Sequence, residues 1–298
     1  MDVSIIYINY NACDLLLSSI QSLFQHTKGL DFEIIIVDNA SEESTEPIKR
    51  ICNDQIHLLQ ASKNLGFGKA NNLGLTIAKG RNILFLNPDT LLRNNAIKIL
   101  SDTLDNNPKI GACGGNLFNK DLTATHSFSR IFPSILREAD SSLFNLYTKI
   151  RYGQNAEFNH TGKNLEVAYI CGADLMTRKE ILDKVGFFDP DFFLYYEETE
   201  LERRIKAAEY KIYSIPSAEI IHLEGTSFSL NEERERHIFH GRENFFNKIY
   251  SKSYKKLADG LNILFLTLAI FTFSLTGKRE EKKKYQFRKS LYLKKNKR

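Results

Sequence analysis

No pair among the four cysteines, Cys13, Cys52, Cys113 and Cys171, falls at CxxC or metal-finger spacing. That excludes a zinc-finger framework and predicts free thiols in a reducing compartment. The first residues carry neither a basic cluster nor a long apolar run, so no signal peptide is expected. No internal repeat is present. Gly66 and Gly68 lack a third glycine, because position 71 is Asn, and they do not open the first strand–helix unit. The fingerprint of a dinucleotide-binding oxidoreductase is therefore missing. The segment Asn9-Tyr10-Asn11 is neither basic nor glycine-rich, which disfavours a nucleotidyltransferase gripping a triphosphate there.

A chain of 298 residues suffices for one large domain, or for a domain with an appendage. The net charge of +5 is unevenly spread: Gly277 to Arg298 holds 11 Lys or Arg against 2 Glu, a local +9, which leaves −4 elsewhere. The body is mildly acidic and the tail basic. One long apolar stretch occurs, Leu261 to Leu275, and with its flanks it reaches the lower limit for spanning a bilayer. It reads as a membrane-surface or re-entrant helix, a marginal spanning helix, or a core helix. The basic residues behind it favour contact with anionic lipid on the cytoplasmic side. Those tail residues have no predicted folded frame around them, so no nucleic-acid partner is expected. A non-catalytic, membrane-attached glycan-binding protein stands as the non-enzymatic alternative.

Val3–Ile8, Glu33–Val37, 57–60 and Asn82–Leu86 are short apolar runs that predict strands. Helical spacing over Asp14–His26, 45–52 and about Lys69–Ala78 lies between them. Alternation of this kind predicts an α/β fold with parallel pairing and helices on both faces. Further on, Arg93–Asn106 and Thr199–Ala208 predict helices, and Ile110–Asn116, Val167–Ile170, Asp174–Thr177 and Lys211–Ser214 predict strands. Residues 119–165 show no clear period and suggest an acceptor loop or a mobile lid. Ligands bind beyond the carboxyl ends of strands in such sheets, which brings Asn9, Tyr10, Asp38, Asn39, Asn87 and Asp89 to one rim.

Two carboxylate features stand out. Asp89 ends an apolar strand behind the rigid Pro88. By itself it reads equally as a turn residue capping a following helix. Glu197, Glu198 and Glu200 edge an aromatic run from Gly186 to Tyr196, where apolar walls raise a carboxyl toward a useful base. They also suit a helix N-terminus. Glu200 and Arg203, three apart in the following helix, can pair.

Taken in order, several segments resemble glycosyltransferase family 2, closest to its rhamnosyltransferase-like branch. They are Val3 to Asn11, Glu33 to Ser41, Asn64 to Asn72, Leu84 to Asp89, Gly172-Ala173-Asp174, Gly186 to Glu200 and His222 to Ser227. The likeness covers about residues 1–230. It implies a GT-A fold, a nucleotide-diphosphate sugar donor and a divalent metal, Mg2+ or Mn2+. The implied organisation is a domain over 1–230, with a nucleotide half (1–90) and an acceptor half (91–230), and a helical extension over 231–298. Asn9, Tyr10, Asp38, Asn39, Asn64, Gly66, Phe67, Asn71, Asn87 and Asp89 are then donor-binding candidates. Asp38 suits the ring N–H of uracil or thymine, and Asn71 the ribose or base. Asp89 and His222 are candidate metal ligands. The family often carries Asp-x-Asp where Asn87 stands here, and a neutral amide lends less charge to a metal. Glu198 aligns with the family's base, in a Glu-Glu pair where Glu-Asp is usual, so Glu197 competes with it. The resemblance favours dTDP-L-rhamnose, then a UDP-hexose, as inverting donor. It favours a bacterial surface glycan or lipid-linked saccharide as acceptor, at the inner face of the cell membrane.

Overall fold

The computed structural model describes residues 1–223 and 231–295. Along the chain the order is β1 (Val3–Asn9), α1 (Cys13–His26), β2 (Phe32–Asp38), α2 (Glu46–Ile51), β3 (Ile56–Gln60), α3 (Phe67–Leu75), β4 (Asn82–Leu86), β5 (Thr90–Leu92), α4 (Ala96–Asn106), β6 (Ile110–Phe118) and β7 (Phe128–Ser129). Then come α5 (Ile135–Ser142), α6 (Leu146–Tyr152), β8 (Leu165–Glu166), β9 (Tyr169–Ile170), β10 (Asp174–Arg178), α7 (Lys179–Val185), α8 (Glu197–Ala207), β11 (Lys211–His222), α9 (Glu232–Ile249), α10 (Lys252–Leu275) and α11 (Arg279–Lys295).

Two compact units emerge, the first from 1–130, 154–193 and 197–224, the second from 131–153, 194–196 and 225–298. The first unit is built on a mixed sheet in the order β3-β2-β1-β4-β10-β6-β11-β5, with β8 added against β11. β1 and β2 are buried at every position, as expected for apolar central strands covered on both faces. The pairs β2–β3, β1–β2, β1–β4 and β6–β11 are parallel. β10 runs antiparallel to both neighbours, and β5 antiparallel to β11.

Each face has its own core. Leu16, Ile20 and Leu23 of α1, with Ile97, Leu100 and Leu104 of α4, pack on Ile5, Tyr7, Leu84 and Leu86. On the other face, Leu75 of α3, Ile181 and Leu182 of α7, and Leu201 and Ile205 of α8 cover Ile6, Ile8, Phe85 and Leu175. Strand order reverses beside β1, and the crevice beyond the carboxyl ends of β1 and β4 is where such sheets take ligands.

Several expectations shift. α3 begins at Phe67, two residues early, because Gly66 at φ +77° turns the chain straight into the helix. α8 begins at Glu197, so both candidate bases sit in its first turn, where negative charge suits the exposed N–H groups. β11 runs on to His222 through a register shift between Ile215 and Glu219, at Pro216, which cannot donate to a ladder. The 119–165 stretch is not one loop: it holds β7 and helices α5 and α6.

The second unit is helical. Its interior holds a charged knot: Arg242 donates to Glu138 at 2.7 Å and Asp259 at 2.6 Å, and Lys255 to Glu243 at 2.8 Å and Asp259 at 2.6 Å. The tail does have a folded frame. α11 runs to Lys295, with Arg288 paired to Glu235 of α9. Among the described residues, α10 alone is long and apolar enough to cross a bilayer by length and composition, and Leu264, Leu268, Phe271 and Leu275 on it are exposed.

Candidate active site

The rim starts with two strands in register, Asn9 opposite Asp38. The Asn9 side-chain amide donates to Asp38 Oδ1 at 3.0 Å and to Ser41 Oγ at 3.1 Å. Asp38 is thereby held at the strand end, while Tyr10 projects outward, 46 % exposed. Asn39 and Asn64 stitch the next loop. Asn39 Nδ2 donates to Asn64 Oδ1 at 3.0 Å, Leu65 N–H donates to Asn39 Oδ1 at 2.8 Å, and Gly66 N–H donates to Asn64 Oδ1 at 2.9 Å. Gly66 must be glycine, since a Cβ there would sit 2.1 Å from the Phe193 carbonyl oxygen. That same carbonyl accepts from Phe67 N–H at 2.8 Å. Asn71 lies inside, its amide donating to the Phe67 carbonyl.

β4 delivers Asn87 and Asp89. Thr90 Oγ1 closes this turn on the Asn87 carbonyl at 2.8 Å, and β5 follows instead of a helix. β5 pairs with the end of β11, setting Thr90 opposite His222. The chain thus brings together groups more than 130 positions apart: His222 Nε2 lies 3.3 Å from Asp89 Oδ1 and 3.4 Å from Asn87 Nδ2. Glu224 to Ser227, the rest of that motif, lies outside the described residues. Among the described residues no three His, Cys, Asp or Glu side chains converge to cage a cation. One carboxylate and one imidazole do fit a hard cation that takes its remaining oxygens from a diphosphate and water.

The acidic pair differs in placement. Tyr195 and Tyr196 adopt positive φ (69° and 73°) immediately before α8. Glu197 then turns inward, 3 % exposed, with its Cβ 3.6 Å from where a side chain on Gly68 would begin. Its Oε2 has no partner. Glu198 is half-buried and lies against Gly172, its Cγ 3.5 Å from a Cβ built there. Gly172 leads into Ala173, whose carbonyl accepts from Asn87 N–H at 2.9 Å. Glu198 and the Asn87–Asp89 turn therefore flank one short segment. Burial lifts both carboxyls: Glu197 well above the usual range, with the Glu198 charge adding to it, and Glu198 also upward, against bonds from backbone and Thr199.

Three residues in this region were given no role by the motif reading, although Asp174 falls inside the Gly172-Ala173-Asp174 segment. Glu202, fully buried, accepts Ile170 N–H on both carboxylate oxygens, and burial raises its pKa well above normal. Asp174, also fully buried, accepts Gly115 N–H at 2.5 Å and is pushed up by burial to about 7. Arg204 clamps Glu200 at 2.7 Å and caps the carbonyls of Val185, Gly186 and Phe187. The i,i+4 spacing was available for Arg204, whereas nothing local marks the other two as interior.

Residues 4–186 match the model of glycosyl transferase family 2, more than half of the chain. The chain belongs to glycosyltransferase family 2. As a family-2 member it is a transferase. A hexosyltransferase of low-salt glycan biosynthesis, Agl10 of Haloferax volcanii, is 23 % identical over 262 residues, covering 86 % of this chain and 79 % of the relative. The dTDP-rhamnosyl transferase RfbF of Shigella flexneri is 25 % identical over 213 residues, 70 % of this chain and 66 % of its own length. In fold, the family-2 chain resembles the mannosyltransferase PcManGT of Pyrobaculum calidifontis, solved with GDP-Man and Mn2+. The TM-score is 0.60 at 15 % identity, covering 96 % of this chain and 84 % of that one. The mixed sheet is a GT-A fold.

Proposed function

We propose that this transferase moves L-rhamnose from dTDP-rhamnose, with inversion, to a hydroxyl of a lipid-linked saccharide or growing surface glycan. A UDP-hexose is the next donor by the same reasoning. The observation that carries the reading is the meeting of Asp89 with His222 beside the Gly172–Ala173 segment, with half-buried Glu198 across it. Asp38 receives the pyrimidine N–H, and Asn9 orients its carboxylate for that purpose. Asn39, Asn64, Gly66 and Phe67 form the loop over the nucleotide. Asn71, buried beneath, supports that loop. Asn87 holds His222 and meets the donor.

Asp89 and His222 would hold a divalent cation, Mg2+ or Mn2+, which offsets negative charge on a departing diphosphate. Glu198 takes the acceptor proton as the hydroxyl oxygen attacks the anomeric carbon and the bond to the diphosphate breaks. Half-burial suits it, because the acceptor must reach the base, whereas Glu197 is sealed from solvent. The second unit, with exposed α10 and its cationic C-terminal helix, supports work at the cytoplasmic face of a membrane.

The test is titration calorimetry with dTDP-rhamnose and UDP-sugars, with and without Mn2+, joined to a donor-hydrolysis assay. Glu198→Gln should retain donor affinity and lose about 10²- to 10⁴-fold in turnover. Asp89→Ala should remove the Mn2+ dependence of donor binding. An active Glu198→Gln beside an inactive Glu197→Gln would reassign the base. Absence of nucleotide release from every donor would leave a binding protein.

A further inference from the structure

The turn joining α5 to α6 has an unusual composition for an exposed corner. Within eight residues it displays Leu143, Phe144, Leu146, Tyr147 and Ile150, with Leu143 61 % and Ile150 77 % exposed. Scattered apolar side chains on a surface need no account, but a cluster does. Nor is the corner a frayed end. Asp140, nearly fully buried, accepts the backbone N–H of Tyr147 at 2.8 Å and also takes Thr148 N–H and the Thr148 hydroxyl. Asn145 N–H returns to the Asp140 carbonyl at 2.8 Å, and Arg137 Nη1 grips Asn145 Oδ1 at 3.0 Å. Phe144 and Asn145 are held at φ +55° and +60°, a region that phenylalanine enters only at a cost. Anchored strain of this sort points to use.

Charge selects the occupant. The second unit carries 21 Lys and Arg against 9 Asp and Glu, a formal +12, while the first has 20 against 27, a formal −7. α6 itself adds Lys149 and Arg151 and no acid. Aliphatic and aromatic side chains flanked by cations match the interface of a bilayer that contains anionic lipid.

We propose that the Leu143–Ile150 corner inserts into such a bilayer surface, as an anchor distinct from α10. This rests on the membrane-surface part of the reading above. The chain has no tryptophan, so Phe144→Trp makes a sole reporter that keeps the bulk of the side chain. Full-length protein is mixed with vesicles of phosphatidylcholine alone, or with phosphatidylglycerol added. Trp emission should shift to the blue with the anionic vesicles only. Phe144→Asp with Ile150→Asp should weaken vesicle partitioning about 10-fold or more, given two apolar side chains lost from the interface. Donor hydrolysis in solution should be unaltered.

Sedimentation with vesicles but no emission shift would overturn the corner and leave α10 as the contact. Leu268→Asp with Phe271→Asp would then abolish binding. No sedimentation of the unmodified protein would overturn both membrane statements, while donor hydrolysis still reports on the transferase independently. A blue shift on self-association or on addition of an acidic protein, without one on vesicles, would assign the corner to a protein interface and overturn the lipid proposal.

Discussion

Asp174→Asn should change how the stability of this protein depends on pH. Asp174 is fully buried, with Oδ2 on Gly115 N–H and Oδ1 without a partner. Burial raises its pKa from 3.8 to about 7, with Gly115 N–H and His222 pulling the other way. A raised carboxyl binds more protons folded than unfolded between those two values. Its contribution is therefore fully present below the unfolded pKa and is lost as pH rises through the folded one. A shift of about 3 units corresponds to about 4 kcal/mol lost between pH 4 and pH 8. Asparagine keeps the Gly115 bond and the volume but sets an NH2 group where Oδ1 has no partner, a cost of about 1–3 kcal/mol that does not vary with pH. The variant should thus be less stable than the parent at pH 4 and more stable at pH 8, a crossing of about 4 kcal/mol in all. Urea unfolding followed by circular dichroism at pH 4, 6 and 8 measures it. Parallel curves, with one offset at every pH, would refute the argument.

Gly66→Ala should weaken donor binding and lower Tm. The positive φ alone costs about 1–3 kcal/mol, and the new Cβ collides with the Phe193 carbonyl. Gly153→Ala, also at positive φ but with open space around it, serves as the control and should leave donor binding intact. Arg242→Met should cost about 3–5 kcal/mol in a denaturant titration, because Glu138 and Asp259 lose a buried guanidinium partner. An unchanged denaturation midpoint would mean that the knot in the second unit contributes nothing net.

The sheet core was legible because β1, β2 and β4 are unbroken apolar runs, and polar residues just past the end of such a strand emerge at the sheet's edge. Asn9, Asp38, Asn87 and Asp89 could be assigned to one rim for that reason. Pairing between β5 and β11 was not legible: Thr90–Leu92 is too short to read, and Pro216 interrupts the run before His222. Helices α5 and α6 hide for another reason. They are 8 and 7 residues long and lean on Asp140 and on the Ser134 cap rather than on an apolar stripe. α11 has no amphipathic period, and its frame comes from distant partners: Arg288 reaches Glu235, 53 positions away, Tyr285 packs on Phe265 and Phe273, and Tyr292 on Phe239. Asp174 and Glu202 look like surface carboxylates in the sequence, and only tertiary packing takes them inside.

The two glutamates at the head of α8 differ in fate although they are neighbours. Consecutive helix positions point about 100° apart, so one is swallowed beside Gly68 while the next looks past Gly172. Adding or deleting a single residue just ahead of Glu197 would rotate that choice by one step. Chain length in this stretch is thereby as tightly constrained as side-chain identity, and a library that varies the aromatic run should hold its count of residues constant.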